Sequence, residues 1–349
     1  MTFELLFYFI ILFVGLIVCI TRVNDTFYNI GSLTLFVFFS LIVRSAGFDA
    51  DIGNYAEYLK INSFSIYYIK EGVYWLGSRV IYDFTDSEII VFITYDIVFF
   101  SLLLVVRSRL ALPKYFPYLV ILFFPTVMGM QNVFRQFIAS GFLLLFFAQV
   151  MTSQKMLIKV LTFILAGFSH NVAFLFLPIL FLKSKSRKVS LLFLGSSISI
   201  LVLLPIAAAS KSNSVTGEVP AYMFVVLFSL MVLGYLAVFN FKFKNRPPVF
   251  TQFFYLLLFC YALIIEASAV LGSAQSKRLG MMSLIVCLIP LVMSIEVRFK
   301  QNILVRLLFL IMLTAPTLLF QNAFSLLQTT EESLKVEAVA RSQSHKRAH

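Results

Sequence analysis

The chain has 349 residues, of which 60% are hydrophobic and only 13% charged, with a net charge of +12 and a mean hydropathy of +0.95. Soluble domains carry about 25% charged residues, so no water-soluble fold hides this much apolar surface, and the positive charge bears on membrane sidedness rather than on nucleic acid. Only helices and closed barrels satisfy the backbone in lipid, and runs such as Leu143 to Phe147 lack the alternation of a barrel strand, which leaves an all-α, polytopic transmembrane helical bundle.

In chain order, spans are predicted at roughly 3–21, 29–43, 88–106, 114–130, 133–151, 156–169, 171–183, 189–208, 221–240, 249–271, 279–296 and 303–320. That is about twelve, within a range of about ten to thirteen. The first opens Met1-Thr2-Phe3-Glu4, without a basic leader or a small-residue cleavage site, and reads as a retained span rather than a signal peptide. The sixth and seventh are short for a crossing and meet at Ser169-His170-Asn171, as a broken or re-entrant pair would. Between the second and third spans lies the long loop 44–88, acidic and rich in rings (Tyr55, Tyr58, Phe64, Tyr67, Tyr68, Tyr74, Trp75, Tyr82, Phe84), which predicts short amphipathic helices near 52–62 and 68–82 lying at the headgroup level. One domain is expected over 1–320. The polar tail 321–349 loses its apolar periodicity after Leu327, with room for a short helix at Glu331–Arg341.

Lys and Arg divide unequally between the two sets of alternating loops. Sixteen fall in one set (Arg22; Arg107, Arg109, Lys114; Lys155, Lys159; Lys183, Lys185, Arg187, Lys188; Lys242, Lys244, Arg246; Arg298, Lys300, Arg306), and eight in the other (Arg44, Lys60, Lys70, Arg79, Arg135, Lys211, Lys277, Arg278). Positive-inside bias makes the first set cytoplasmic and turns the amino terminus and the 44–88 loop outward. The four basic residues of the tail (Lys335, Arg341, Lys346, Arg347) pull against the outward side that parity assigns to it. Cys19, Cys260 and Cys287 all fall inside apolar segments, as packing residues, and neither a disulfide nor a metal is expected.

Polar groups are costly in a bilayer, so the outward cations are the functional candidates. Arg44, Arg135, Lys277 and Arg278 sit at outer ends of spans, where guanidinium forks match phosphate oxygens, although snorkelling to headgroups explains each one singly. Asp49 and Asp51, flanked by Gly47 and Gly53, are candidate general bases; a solvated Asx turn capping the next helix is the competing reading. His170, the only histidine outside the tail (which holds His345 and His349), is a second candidate base or a phosphate ligand, against a role in satisfying helix-end carbonyls. Asp96 and Glu266 are intramembrane carboxylates; for Asp96 a structural pair with an arginine weighs above a proton path. Glu71 would be plain surface on composition. No Gly-x-x-x-x-Gly-Lys loop and no Gly-x-Ser-x-Gly elbow is present, so ATP does not drive the chemistry.

These residues, in this order, resemble the EpsG/Wzy-type polysaccharide (O-antigen) polymerases over about residues 30–290. The likeness is carried by Arg44, Gly47, Asp51 and Tyr55 at the end of an early span, Glu71 in the outer loop, Arg135-Gln136-Phe137-Ile138-Ala139 opening a mid-chain span, Phe168-Ser169-His170 before the span holding Pro178, and Arg278 opening the next-to-last span. Asp49-Ala50 stands like an insertion before Asp51, leaving open which aspartate takes the family position.

The resemblance implies a membrane-glycosyltransferase-like bundle that joins O-antigen or exopolysaccharide repeat units at the outer face of the bacterial inner membrane. It would move a growing glycan from undecaprenyl diphosphate to a new lipid-linked unit. Under it, Arg135 and Arg278 hold the diphosphate with Arg44 and Lys277 in support, Asp51, Asp49 or His170 takes the acceptor proton, and Glu71, Tyr55, Trp75 and Gln136 grip the glycan. The implied partners are lipid-linked oligosaccharides, membrane lipids, a chain-length regulator and a flippase; no cofactor and no nucleic acid enters. The alternative is a flippase for the same lipid-linked sugar, which would spread its cations along a central cavity and carry inverted repeats.

Overall fold

Every predicted span meets a helix in the computed structural model, which describes residues 2–48, 50–61, 67–183, 187–208, 222–239, 248–271 and 273–329. Two spans open the chain, α1 (Phe3–Ile20) and α2 (Asp25–Ser45). Three short helices follow, α3 (Ala50–Lys60), α4 (Tyr67–Lys70) and α5 (Gly72–Thr85). Then come α6 (Glu88–Leu110), the split pair α7 (Phe116–Leu122) and α8 (Phe124–Gln131), α9 (Phe134–Met151), α10 (Met156–Ser169) and a 3₁₀ helix, Asn171–Phe181. The chain continues through α11 (Arg187–Ala208), α12 (Tyr222–Val238), α13 (Pro248–Val270), α14 (Ser273–Arg298), α15 (Ile303–Leu319) and the short α16 (Gln321–Ser325). Among the described residues there is no strand, and six helices are long and apolar enough to cross a bilayer, with five shorter apolar ones beside them. The protein is a polytopic helical membrane protein.

Local chemistry sets the ends. Asn24 caps α2 by accepting from the Thr26 N–H at 2.8 Å, and Ser87 and Asn302 cap α6 and α15 in the same way. Extended backbone at Phe123 (ψ 132°), with Pro125 just beyond it, parts α7 from α8. The Leu122 carbonyl at this break has no water to turn to in lipid. It accepts instead from the Tyr8 hydroxyl at 2.9 Å and the Thr317 hydroxyl at 2.7 Å, which ties α1 and α15 to the break.

The bundle is built around α9 and α14, whose most apolar stretches are 83% and 72% buried against 33% for α1 and α2 at the periphery. Helix α9 packs on α6, α8, α10, α14 and the 3₁₀ helix. Contact with α6 is close because position 141 is glycine; a Cβ there would stand 2.8 Å from the Phe99 ring. Cys19, Cys260 and Cys287 are buried and unbridged.

The helices of the 44–88 loop form near the predicted places; α5 packs one face against α6 and α10 and turns Tyr74 and Trp75 inward, while Leu76, Val80 and Phe84 stay exposed. Tyr55, Tyr58, Tyr68 and Tyr74 surround Trp75 with ring centroids 5.0–5.9 Å away, so most of these rings bury one another, while Tyr58 and Phe84 keep exposed faces. Phe64 lies outside the described residues. Residues 321–329 stay on the bundle: Leu326 and Leu327 are buried, the Leu326 carbonyl accepts from Gln131, and Thr2 donates to the Leu327 carbonyl at 2.6 Å. Both described chain ends therefore stand at the end of the bundle where α8 gives way to α9. The helix expected at 331–341 lies outside the described residues, as do His345 and His349.

Candidate active site

Five separate segments deliver side chains to one cleft at that same end. Arg135 and Gln136 stand in the first turn of α9; His170 occupies the extended break (φ −155°, ψ 122°) between α10 and the 3₁₀ helix; Arg278 is near the start of α14; Tyr55 lies on α3; and Glu71 stands at the turn into α5. Tyr55, Val133, Arg135, Gln136, His170 and Arg278 line a narrow cleft with about 10 Å³ of free volume, room for roughly one water-sized group.

Glu71 is the hub. It is 1% exposed, and both carboxylate oxygens are engaged. Oε1 lies 2.7 Å from His170 Nδ1 and accepts from the Asn171 N–H at 3.3 Å; Oε2 accepts from the Arg135 guanidinium. Burial works to raise the Glu71 carboxyl, but the His170 hydrogen bond, the Arg135 charge and the Asn171 N–H outweigh it and hold the group down at about 2. Burial pushes His170 the other way, below the ordinary imidazole value, with the Arg135 and Arg278 charges adding to it and Glu71 opposing. An ionised carboxylate only accepts, so Nδ1 carries the imidazole proton and donates to Oε1, which leaves Nε2 as a bare lone pair. Nε2 is buried and has no hydrogen-bond partner, and the same is true of Gln136 Oε1.

Arg135 is held from both sides. Its Nε donates to the Tyr55 hydroxyl at 3.2 Å, and its guanidinium lies over the Tyr55 and Trp75 rings at 5.3 and 5.4 Å. Gln136 Nε2 donates to the Arg278 backbone carbonyl at 2.5 Å and locks the start of α9 to the start of α14. The Arg278 guanidinium, about a quarter exposed, stands 3.6 Å from the Asp51 carboxylate on the first turn of α3.

A family model described as the EpsG family matches residues 25–328, most of the chain. The chain belongs to the EpsG family. This is a glycosyltransferase-like family of polysaccharide-polymerase-type membrane proteins. No curated protein and no solved structure matches the chain.

In this EpsG-family protein the structure brings together Arg135, Arg278, His170, Glu71, Tyr55, Gln136 and Asp51, and it sets others apart. Arg44 does not reach the cleft. It is 1% exposed and forms a fork with Asp96, Nε to Oδ2 and NH2 to Oδ1, both at 2.9 Å, while NH1 donates to the Met130 carbonyl at 2.8 Å. Ser40 donates to the same Asp96 carboxylate at 2.6 Å, so the partner of Asp96 is Arg44. That pair is structural: it pins α2 and α6 to the turn that leads into Arg135, and a diphosphate cannot reach it. Trp75 is buried behind Arg135 rather than open to a sugar, because its ring faces are taken by its neighbours. Lys277 is half-buried beside Arg278 without lining the cleft, and Asp49 lies outside the described residues.

Glu71, expected at the surface on composition, is instead the most enclosed charge of the site; the one sequence signal for it was the family resemblance. The Asn171 N–H was not anticipated as a contributor, although the Ser169-His170-Asn171 break that frees it was visible. Among the described residues no three His, Cys, Asp or Glu side chains converge as metal ligands.

Proposed function

We propose that this protein is a repeat-unit polymerase that transfers a growing O-antigen or exopolysaccharide chain from undecaprenyl diphosphate to a newly delivered lipid-linked unit. One observation carries the reading: Arg135 and Arg278, far apart in sequence, line a single cleft with a histidine whose ring is oriented by a carboxylate. The donor is already activated by its diphosphate, so no nucleotide is consumed. As the anomeric bond breaks, negative charge grows on the diphosphate, and guanidiniums already fixed by Tyr55, Glu71 and Asp51 meet it without reorganising. The attacking hydroxyl loses its proton to a group in the same cleft, and direct attack inverts the anomeric centre.

We place the cleft on the periplasmic side of the bacterial inner membrane. The 44–88 helices belong to the set of loops poor in Lys and Arg, which supports that side. A chain-length regulator and a flippase are the natural partners there.

Purified protein in nanodiscs, given lipid-diphosphate-linked units and no nucleotide, is expected to build a ladder of products. Arg135→Ala and Arg278→Ala, still folded, are each expected to lose about 10²–10³-fold in kcat. Normal ladder length in both variants would end the diphosphate assignment. Movement of labelled lipid-linked sugar across the bilayer without a ladder would make the protein a carrier.

A further inference from the structure

Two buried acceptors in the cleft have nothing to accept from. Gln136 Nε2 rests on a backbone carbonyl, which only accepts, so that atom is the nitrogen and Oε1 is a true carbonyl oxygen with no donor. His170 Nε2 is likewise without a donor once Nδ1–H is committed to Glu71. Both side chains are more than nine-tenths buried, and both line the cleft. Buried acceptors are costly to leave unpaired. An ionised diphosphate cannot satisfy them, because it brings acceptors of its own. Hydroxyl groups can.

We propose that His170 Nε2 is the catalytic base of the transfer, that Glu71 is its positioning residue, and that Gln136 Oε1 receives a second hydroxyl of the same acceptor sugar. The inference rests on the glycosyl-transfer function proposed for this site and assigns its acceptor half. The cleft then has two sides: guanidiniums for the donor's diphosphate, and two bare acceptors for neighbouring hydroxyls of the incoming sugar.

The acceptor oxygen forms its bond to the anomeric carbon as that carbon's bond to the diphosphate oxygen breaks. The bonding pair leaves on the diphosphate, which gains one negative charge. The hydroxyl proton passes to Nε2, and the imidazolium so formed is held by the Glu71 carboxylate through Nδ1–H. That proton later leaves to solvent or to the departing diphosphate, which restores the neutral ring. Asp51 is the weaker candidate for this role. It is a third exposed and faces Arg278, so its charge is committed to that guanidinium and to water. The charged and titratable groups around His170 are Glu71, Arg135, Arg278 and Tyr55. Burial and the two guanidiniums keep the ring neutral at pH 7, in its basic form, while Glu71 keeps the ring from becoming too weak a base.

Polymerisation by the purified protein, followed from pH 5 to 9, tests the assignment. Wild-type kcat is expected to rise with pH to a plateau, with a midpoint below the ordinary histidine value of about 6.5. His170→Ala is expected to lose about 10²–10⁴-fold in kcat with a smaller change in KM, and added imidazole is expected to restore part of it. Glu71→Gln removes the charge that stabilises the imidazolium, so kcat falls and the midpoint moves to lower pH, with Glu71→Asp recovering part of the loss. Gln136→Ala raises KM for the acceptor more than for the donor. Asp51→Asn, which strips Arg278 of its acid, changes KM for the donor and keeps the wild-type midpoint.

Three results would overturn the proposal and leave the polymerase function standing: near-wild-type kcat in His170→Ala, a midpoint that disappears in Asp51→Asn, or a Glu71→Gln defect lying wholly in donor KM with its midpoint unmoved. Absence of any ladder from wild type would end the function itself and the base assignment with it. Should His170→Ala fail to fold, the wild-type and Glu71→Gln pH profiles decide alone.

Discussion

At the scale of single residues, the protein separates two kinds of buried charge. Arg44 and Asp96 satisfy each other and hold structure; Glu71 is shared between an imidazole and a guanidinium, and His170 Nε2 on the far side of that imidazole has no partner. Removing one partner of a closed buried pair leaves a bare charge, so Arg44→Ala or Asp96→Ala is expected to destabilise the protein by about 3–5 kcal/mol in detergent unfolding. Replacing both by apolar residues of similar volume costs less than either single change, which a double-mutant cycle reads directly. Protonation also marks the site. The folded His170 resists protonation, so the unfolded chain takes up the proton first, and stability falls as pH drops below about 6.5; His170→Gln lacks that step. The Glu71 contribution has the depressed-carboxylate sign: it is present above the ordinary glutamate value of about 4.3 and is lost as pH falls toward about 2. Unfolding followed over pH 2–8 in the wild type, His170→Gln and Glu71→Gln separates these windows.

Among the elements, α9 does the most work for the site. Its first turn supplies Arg135 and Gln136, and its body is clamped among α6, α10 and α14. Gly141 lets α6 approach, so a bulky side chain there should push the two helices apart. Gly141→Leu is expected to cost about 1–3 kcal/mol and to lower activity by shifting Arg135; a second change, Phe99→Ala, should return part of both. Unfolding midpoints and polymerisation rates measured on the same preparations check this. The breaks matter as much as the helices. An unbroken α10 would carry His170 into helical geometry and take the Asn171 N–H away from Glu71. Hydropathy alone marked that break, because two short apolar runs cannot each cross a bilayer. The inward turn of α5 was not marked in that way: its rings suit an interface and a packed layer equally well, and only neighbours on α6 and α10 decide between them.

For the whole molecule, two ends are chemically distinct. One carries the cleft, the 44–88 helices and both described chain ends. Toward the other lie Arg107 and Lys114 on Asp25, and Arg306 on Glu296. If the cleft faces the periplasm, Glu57→Cys on the exposed side of α3 will react with a membrane-impermeant maleimide in intact cells, and Arg109→Cys will react only after permeabilisation. The native cysteines are buried and leave the background clean. Labelling of Arg109→Cys alone in intact cells would reverse the orientation.

Composition and hydropathy were enough to establish a helical membrane bundle and the break at Ser169-His170-Asn171, because a bilayer favours segments that satisfy their own backbone. The break at Phe123, inside the span expected at 114–130, was not legible, since Tyr8 and Thr317 from distant helices satisfy the Leu122 carbonyl there. The ordered Arg135-Gln136, Phe168-Ser169-His170 and Arg278 were enough to point to the family. Which cations line the cleft and which are struts was decided only in three dimensions. Arg44 and Arg135 both read as a guanidinium at the end of a span, and each meets a distant carboxylate; what separates them is that Asp96 and the Met130 carbonyl close over Arg44, while Arg135 on Glu71 still lines the cleft. Such pairing is a property of the packed bundle; no local pattern encodes it.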